Sequence, residues 1–137
     1  MTTPRIGRLL AAVALAGGAA VAGTAAPAQA ATLNCVAAGE WGPGCWSTVT
    51  AIDAGSYLAV HNQPDYTHGE RSGSRFRHHN GDSLFLQCWT TGAPDGDGHG
   101  DRYWFLITQG SVGGGYVNDW YVNTGSYSDW SRRLRHC

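Results

Sequence analysis

Lysine is absent from this chain; its nine basic residues are all arginines, set against ten acidic residues. Arg5 and Arg8 lie near the start, so seven arginines face ten carboxylates beyond residue 30, a net charge near −3 with neutral histidines. Phosphate backbones demand a basic field, so this balance argues against nucleic acid as the partner and against adhesion to an anionic membrane. Long apolar runs are equally scarce: beyond the first thirty residues no segment could span a bilayer. Sustained helical periodicity is missing from the same region, which argues against a helical bundle. Neither G-x-S-x-G, nor H-E-x-x-H, nor a nucleotide-cradling glycine motif occurs, and the "GGG" at 113–115 reads as a tight corner.

What is present begins with an export signature. A positive start (Arg5, Arg8), the apolar run "LLAAVALAGGAAV" (9–21) and Ala28-Gln29-Ala30 follow the order of a secretory signal peptide over residues 1–30. The run is short and rich in Ala and Gly, and it lacks a basic stop-transfer flank, unlike a membrane anchor. The expected location is secreted, and what remains is the size of one small domain.

Cys35, Cys45, Cys88 and Cys137 make an even set in an exported chain, so two disulfides are expected from three possible pairings. Sequence proximity favours Cys35–Cys45, which leaves Cys88–Cys137 to tie the chain end to the domain's middle.

The recurring local signal is a short run of aromatic and branched residues bounded by Gly, Asn and Asp. "WSTVTA" (46–51), "YLAVH" (57–61), "SLFLQCWT" (83–90), "RYWFLIT" (102–108), "GYVN" (115–118) and "WYVN" (120–123) read as strands, giving an all-β fold, a small barrel or sandwich. Within "SLFLQCWT", strict alternation puts Leu84, Leu86 and Cys88 on the core side and Phe85, Gln87 and Trp89 opposite. Trp89 is then covered by the N-terminal extension or belongs to a binding face. Residues 62–82 are polar and unpatterned, a long loop of the functional or partner-contacting kind.

Two clusters invite chemistry. "DGDGHGD" (95–101) imitates the start of a calcium loop, but the twelfth position from Asp95 is Leu106 rather than a bidentate glutamate. Asp and Gly also suit a solvated hairpin tip, so no metal site is assigned and no cofactor is expected. His61, His68, His78, His79, Glu70 and Arg71 lie close enough in sequence to suggest a small general acid–base hydrolase, or simply a hydrated loop. "RSGSRFRHH" (71–79) is the one locally basic stretch.

Taken in order, "LAVHNQPDY", "LFLQCWTTG", "YWFLI", "GGGYVNDWYVNTG" and a terminal cysteine resemble the bacterial SH3-like (SH3b) domain, in its small secreted actinobacterial form. Leu58, Val60 and Pro64 fit that family's first strand, with His61 where the family carries arginine. "CWTTG" (88–92) and "GYVNDWYVNTG" (115–125) together carry the resemblance, which covers roughly 50–137. Residues 31–49, with Cys35 and Cys45, stand as an N-terminal extension without a counterpart.

The resemblance implies a five-stranded SH3-like barrel, with 62–82 as the first large loop beside a ligand groove and one 3₁₀ turn near the end. Carried over by position, the groove holds Tyr66, Trp104, Asn118 and Tyr121 with Trp120 as neighbour, Trp104 pointing outward while Phe105 and Ile107 point inward. Such rings suit an extended peptide or a sugar face. The implied function is a secreted, non-enzymatic module that binds cell-wall peptidoglycan peptide or another extended protein segment. The alternatives are a secreted inhibitor or toxin-like protein, a structural component of the colony surface, or the His-dependent hydrolase.

Overall fold

Seven strands account for most of the regular backbone in the computed structural model, which describes residues 31–108 and 114–137. The signal peptide read at 1–30 lies outside the described residues, as does most of the Gly-rich corner at 110–115. In chain order the strands are β1 (Asn34–Val36), β2 (Gly44–Thr48), β3 (Leu58–Ala59), β4 (Arg77–His78), β5 (Ser83–Thr91), β6 (Tyr103–Thr108) and β7 (Gly115–Asn118). Two 3₁₀ turns (Ser74–Phe76, Asp119–Tyr121) and one short helix, α1 (Tyr127–Trp130), complete them. The fold is all-β. One five-stranded antiparallel sheet runs β1-β2-β5-β6-β7, and β3 pairs with β4 in a separate two-stranded ladder.

The five-strand ladder is open, with β1 and β7 at its edges, but both ends are engaged. An isolated antiparallel bridge joins Val49 to Val122, flanked by Thr50 N–Tyr121 O (2.9 Å) and Asn123 N–Thr48 O (2.8 Å). "WYVN", read as a strand, is therefore a 3₁₀ turn followed by this single bridge. Residues 31–49 form the β1–β2 hairpin, and β2 pairs along β5, so they are part of the main sheet.

The core lies on the Leu84–Leu86 face of β5. Leu84, Leu86, Phe105, Ile107, Val60, Val117 and Trp130 are buried there together with Cys45. Phe85, on the other face, is buried as well, because Trp41 and Trp46 pack edge-on against it at 5.5 and 5.2 Å. The hairpin of residues 31–49 thus covers an aromatic that sheet alternation would otherwise leave in water.

Strict alternation fails at Gln87. The β5–β6 register shifts between Leu86 and Cys88, a bulge that sets Leu86 opposite Ile107 but Trp89 opposite Phe105. Directly paired residues share a face, so the bulge brings Trp89 to the side of Leu86 and sends Cys88 to the other, reversing the expected assignment for both. The C-terminal segment, rather than the N-terminal hairpin, packs around Trp89. Trp130 (5.3 Å), Tyr103, Tyr127 and His136 (4.5 Å) surround its ring, and its Nε1 donates to Leu134 O.

The chain end is fixed to β5 by a parallel bridge, Trp89–His136, and by the Cys88–Cys137 disulfide. Cys35–Cys45 links directly opposed residues of β1 and β2. On the loop-entropy account these crosslinks stabilise by roughly 4 and 3 kcal/mol, respectively. Two disulfides fit an oxidising compartment. Among the described residues no helix is long and apolar enough to cross a membrane.

Candidate functional site

Two connections meet over the outer face of β6. Residues 62–69 form a tight turn whose ends approach each other through the bridge His61–Glu70. Asp65 nucleates the turn: its Oδ1 accepts from the backbone N–H of Thr67 and His68, both at 2.9 Å, and its Oδ2 lies 2.7 Å from His68 Nδ1. The turn is pressed onto the end of β5 at Gly92, where any Cβ would fall 2.0 Å from Pro64 O; only glycine fits there. His61 in turn exchanges both backbone hydrogen bonds with Tyr116, at 2.8 and 2.9 Å, close enough that a Cβ on Gly115 would lie 2.5 Å from His61 O.

The second connection is the Asp/Gly loop. Asp95 Oδ2 accepts from the N–H groups of Asp97 (3.1 Å) and His99 (3.0 Å) and from His99 Nδ1 (2.9 Å), while Oδ1 accepts from Asp101 N (2.8 Å). Burial pushes the Asp95 carboxyl up, but these donors outweigh it and hold it at about 2. Its oxygens are occupied by the loop's own backbone. Among the described residues no group of three or more His, Cys, Asp or Glu side chains is arranged to hold a metal ion. The loop carries Asp97 to a place where it accepts a hydrogen bond from the Tyr121 phenol.

Together these segments enclose a cleft of about 250 Å3, walled on the far side by 51–59. Tyr66, Trp104, Asn118 and Tyr121 all line it, although 55 positions separate the first from the last. They do so unequally. Tyr66 is the accessible ring, 38% exposed. Trp104 does sit opposite the Phe105–Ile107 face, but it is 0% exposed, which corrects its expected place as an outward ring. Tyr66 (5.0 Å) and His61 (5.8 Å) roof it, and its Nε1 donates to Ala93 O at 2.8 Å. Burying the indole against a neighbouring loop also satisfies its N–H, so it acts as the floor beneath Tyr66.

Asn118 is buried and fully engaged. Its Nδ2 donates to Asp101 O (3.1 Å), and its Oδ1 accepts from Trp120 N (3.1 Å), capping the second 3₁₀ turn. Trp120 does not reach the cleft. It is 42% exposed and stacks flat on His99 (3.8 Å, 9°), beside a separate hollow of about 380 Å3 with Thr91 and Tyr103.

The histidine-rich segment is distributed rather than gathered. His68 pairs with Asp65, His79 Nδ1 contacts Ser56 O at 3.2 Å, and His78 is buried 3.8 Å from Asp82. His61 alone of the four lines the cleft, where burial holds its pKa below the usual histidine value against the opposing fields of Glu70 and Asp65. Its Nδ1 is buried without a hydrogen-bond partner.

Tyr57, Asp53, Glu70 and Asp97 also line the cleft, the Tyr57 phenol donating to Glu70 Oε2 at 3.2 Å. Tyr57 escaped sequence reasoning because it reads as an ordinary strand residue. Only the β3–β4 pairing, which brings Leu58 and Ala59 beside His78 and Arg77, reveals the position of the neighbouring Tyr57. No family model, no curated protein and no solved structure matches this chain.

Proposed function

We propose that this protein is a secreted, non-enzymatic binding module of the SH3-like kind, and that its cleft takes an extended peptide of the cell wall. One observation carries the reading: Tyr66, Trp104, Asn118 and Tyr121, assigned to a groove by resemblance, converge on a single hollow. The bridge from Val49 to Val122 and the pairing of His61 with β7 support a barrel-like curl, since they draw together chain segments at the sheet's margins. A preformed cleft with one accessible ring over a rigid aromatic floor suits a linear guest at modest affinity.

Co-sedimentation with purified cell-wall sacculi tests the proposal. Wild-type protein is expected in the pellet, and Tyr66→Ala in the supernatant with its fold intact. Equal pelleting of both would remove the cleft from the account. Failure of wild type to pellet would remove the wall.

A further inference from the structure

The cleft's charge is one-sided. Asp53, Glu70 and Asp97 line it, and no arginine among the described residues does; Arg77 lies over the Tyr57 ring (4.5 Å) without joining the lining. Two of these carboxylates are held in position by phenols, Glu70 by Tyr57 and Asp97 by Tyr121. Each phenol donates one hydrogen bond and leaves the carboxylate's remaining lone pairs for other donors.

Acidic residues on a solvated surface carry no information by themselves. A second, independent observation comes from His61. It is only 6% exposed, lines the same cleft, and has a buried Nδ1 with no hydrogen-bond partner among the described residues. A buried ring nitrogen left without a partner costs free energy, and a ligand N–H reaching it directly or through one water would recover that. Tyr66, in edge contact with His61 at 4.9 Å, adds an accessible π face beside the carboxylates. Carboxylates, an aromatic face and a neutral acceptor, without a competing cation, are the complement of an ammonium group.

Resting on the peptide-cleft reading above, we propose that the cleft recognises a free primary ammonium on an extended peptide, either a chain terminus or an ω-amino side chain. The peptide lies along Tyr66, and its ammonium sits between Glu70 and Asp97 near His61. An acylated or cross-linked amine loses the charge and two of its three donors, so the module discriminates open peptide ends from closed ones.

The test is backbone amide NMR on the purified protein, titrated with four probes. These are triglycine amide, its N-acetyl form, Nα-acetyl-lysine amide and its doubly acetylated form. Shifts around His61, Glu70 and Asp97 are expected with at least one free-amine probe, and about tenfold weaker binding with its acetylated partner. Whether the glycine or the lysine probe responds identifies the source of the amine, and either response upholds the proposal. Glu70→Gln and Asp97→Asn, both near-isosteric, should each weaken binding by roughly three- to tenfold, and added salt should do the same. Equal binding of free and acetylated probes in the cleft would overturn ammonium recognition while leaving the peptide cleft standing. Shifts confined to other surfaces, or none at the cleft with any probe, would also overturn it; failure to pellet with sacculi is the separate result that removes the wall.

Discussion

The Tyr121 hydroxyl donates to the Asp97 carboxylate, joining the 3₁₀ turn after β7 to the Asp/Gly loop between β5 and β6. Two segments 24 residues apart are thereby fixed across the cleft. Burial and the acidic surroundings both push the Tyr121 phenol well above its ordinary pKa, so it remains a donor throughout the physiological range. Tyr121→Phe keeps the ring and deletes the tie. The expected cost is about 1–2 kcal/mol by urea denaturation, with faster amide exchange confined to 96–101. Unchanged exchange in that loop would mean that Asp95 alone holds it.

Trp104 and Tyr66 are in contact, yet truncating them should have opposite consequences. Trp104 is fully buried with its N–H satisfied, so Trp104→Ala leaves a cavity and an orphaned Ala93 carbonyl. A loss of roughly 3–5 kcal/mol is expected in chemical denaturation. Tyr66→Ala uncovers part of that floor but removes a partly exposed ring, and should cost about 1 kcal/mol while abolishing retention on sacculi. Similar stability losses for both would identify Tyr66 as a structural lid rather than a contact surface.

These two rings show how far the sequence could be read. Alternation along "RYWFLIT" correctly separates Trp104 from Phe105 and Ile107, because β6 is regular over its whole length. What the period cannot supply is the turn 62–69 that roofs Trp104, since the turn depends on Asp65 accepting local N–H groups and on Pro64 meeting Gly92. In β5 the period itself breaks. A single bulged residue, Gln87, has no signature of its own, so Trp89 goes to the opposite face from the one alternation assigns. The disulfides were legible because the chain offers few pairings. The acidic character of the cleft was not, because Asp53, Glu70 and Asp97 come from three separate loops.

Asp95 organises its loop as an anion, which makes the loop acid-labile. Its folded pKa of about 2 lies below the ordinary 3.8, so its contribution to stability is complete above pH 3.8 and is lost as pH falls through about 2. Asp95→Asn retains one acceptor oxygen but presents an amide where two N–H groups point. At pH 7 the variant should be roughly 2 kcal/mol less stable, and its stability should change less than wild type's between pH 4 and 2. Parallel pH profiles for the two proteins would show that the carboxylate's charge is irrelevant there.

Asp119 behaves in the opposite sense. Burial, as the largest cause, pushes its carboxyl up to about 7; the Thr124 hydroxyl (2.5 Å) opposes this, and the charge of Asp101 adds to it. The Trp130 indole N–H also pulls downward from nearby, although it makes no hydrogen bond of good geometry. Between pH 3.8 and about 7 the folded state keeps a proton that the unfolded chain has released. Its contribution to stability is therefore full below pH 3.8, declines as pH rises, and is gone above about 7. Asp119→Asn can still accept from Thr124 and never ionises. The variant should match wild type near pH 4 and exceed it at pH 8 by about 4 kcal/mol, the gap opening across that interval. Thermal melts at half-unit pH steps measure this directly. A constant gap at every pH would mean that Asp119 titrates like an exposed carboxylate.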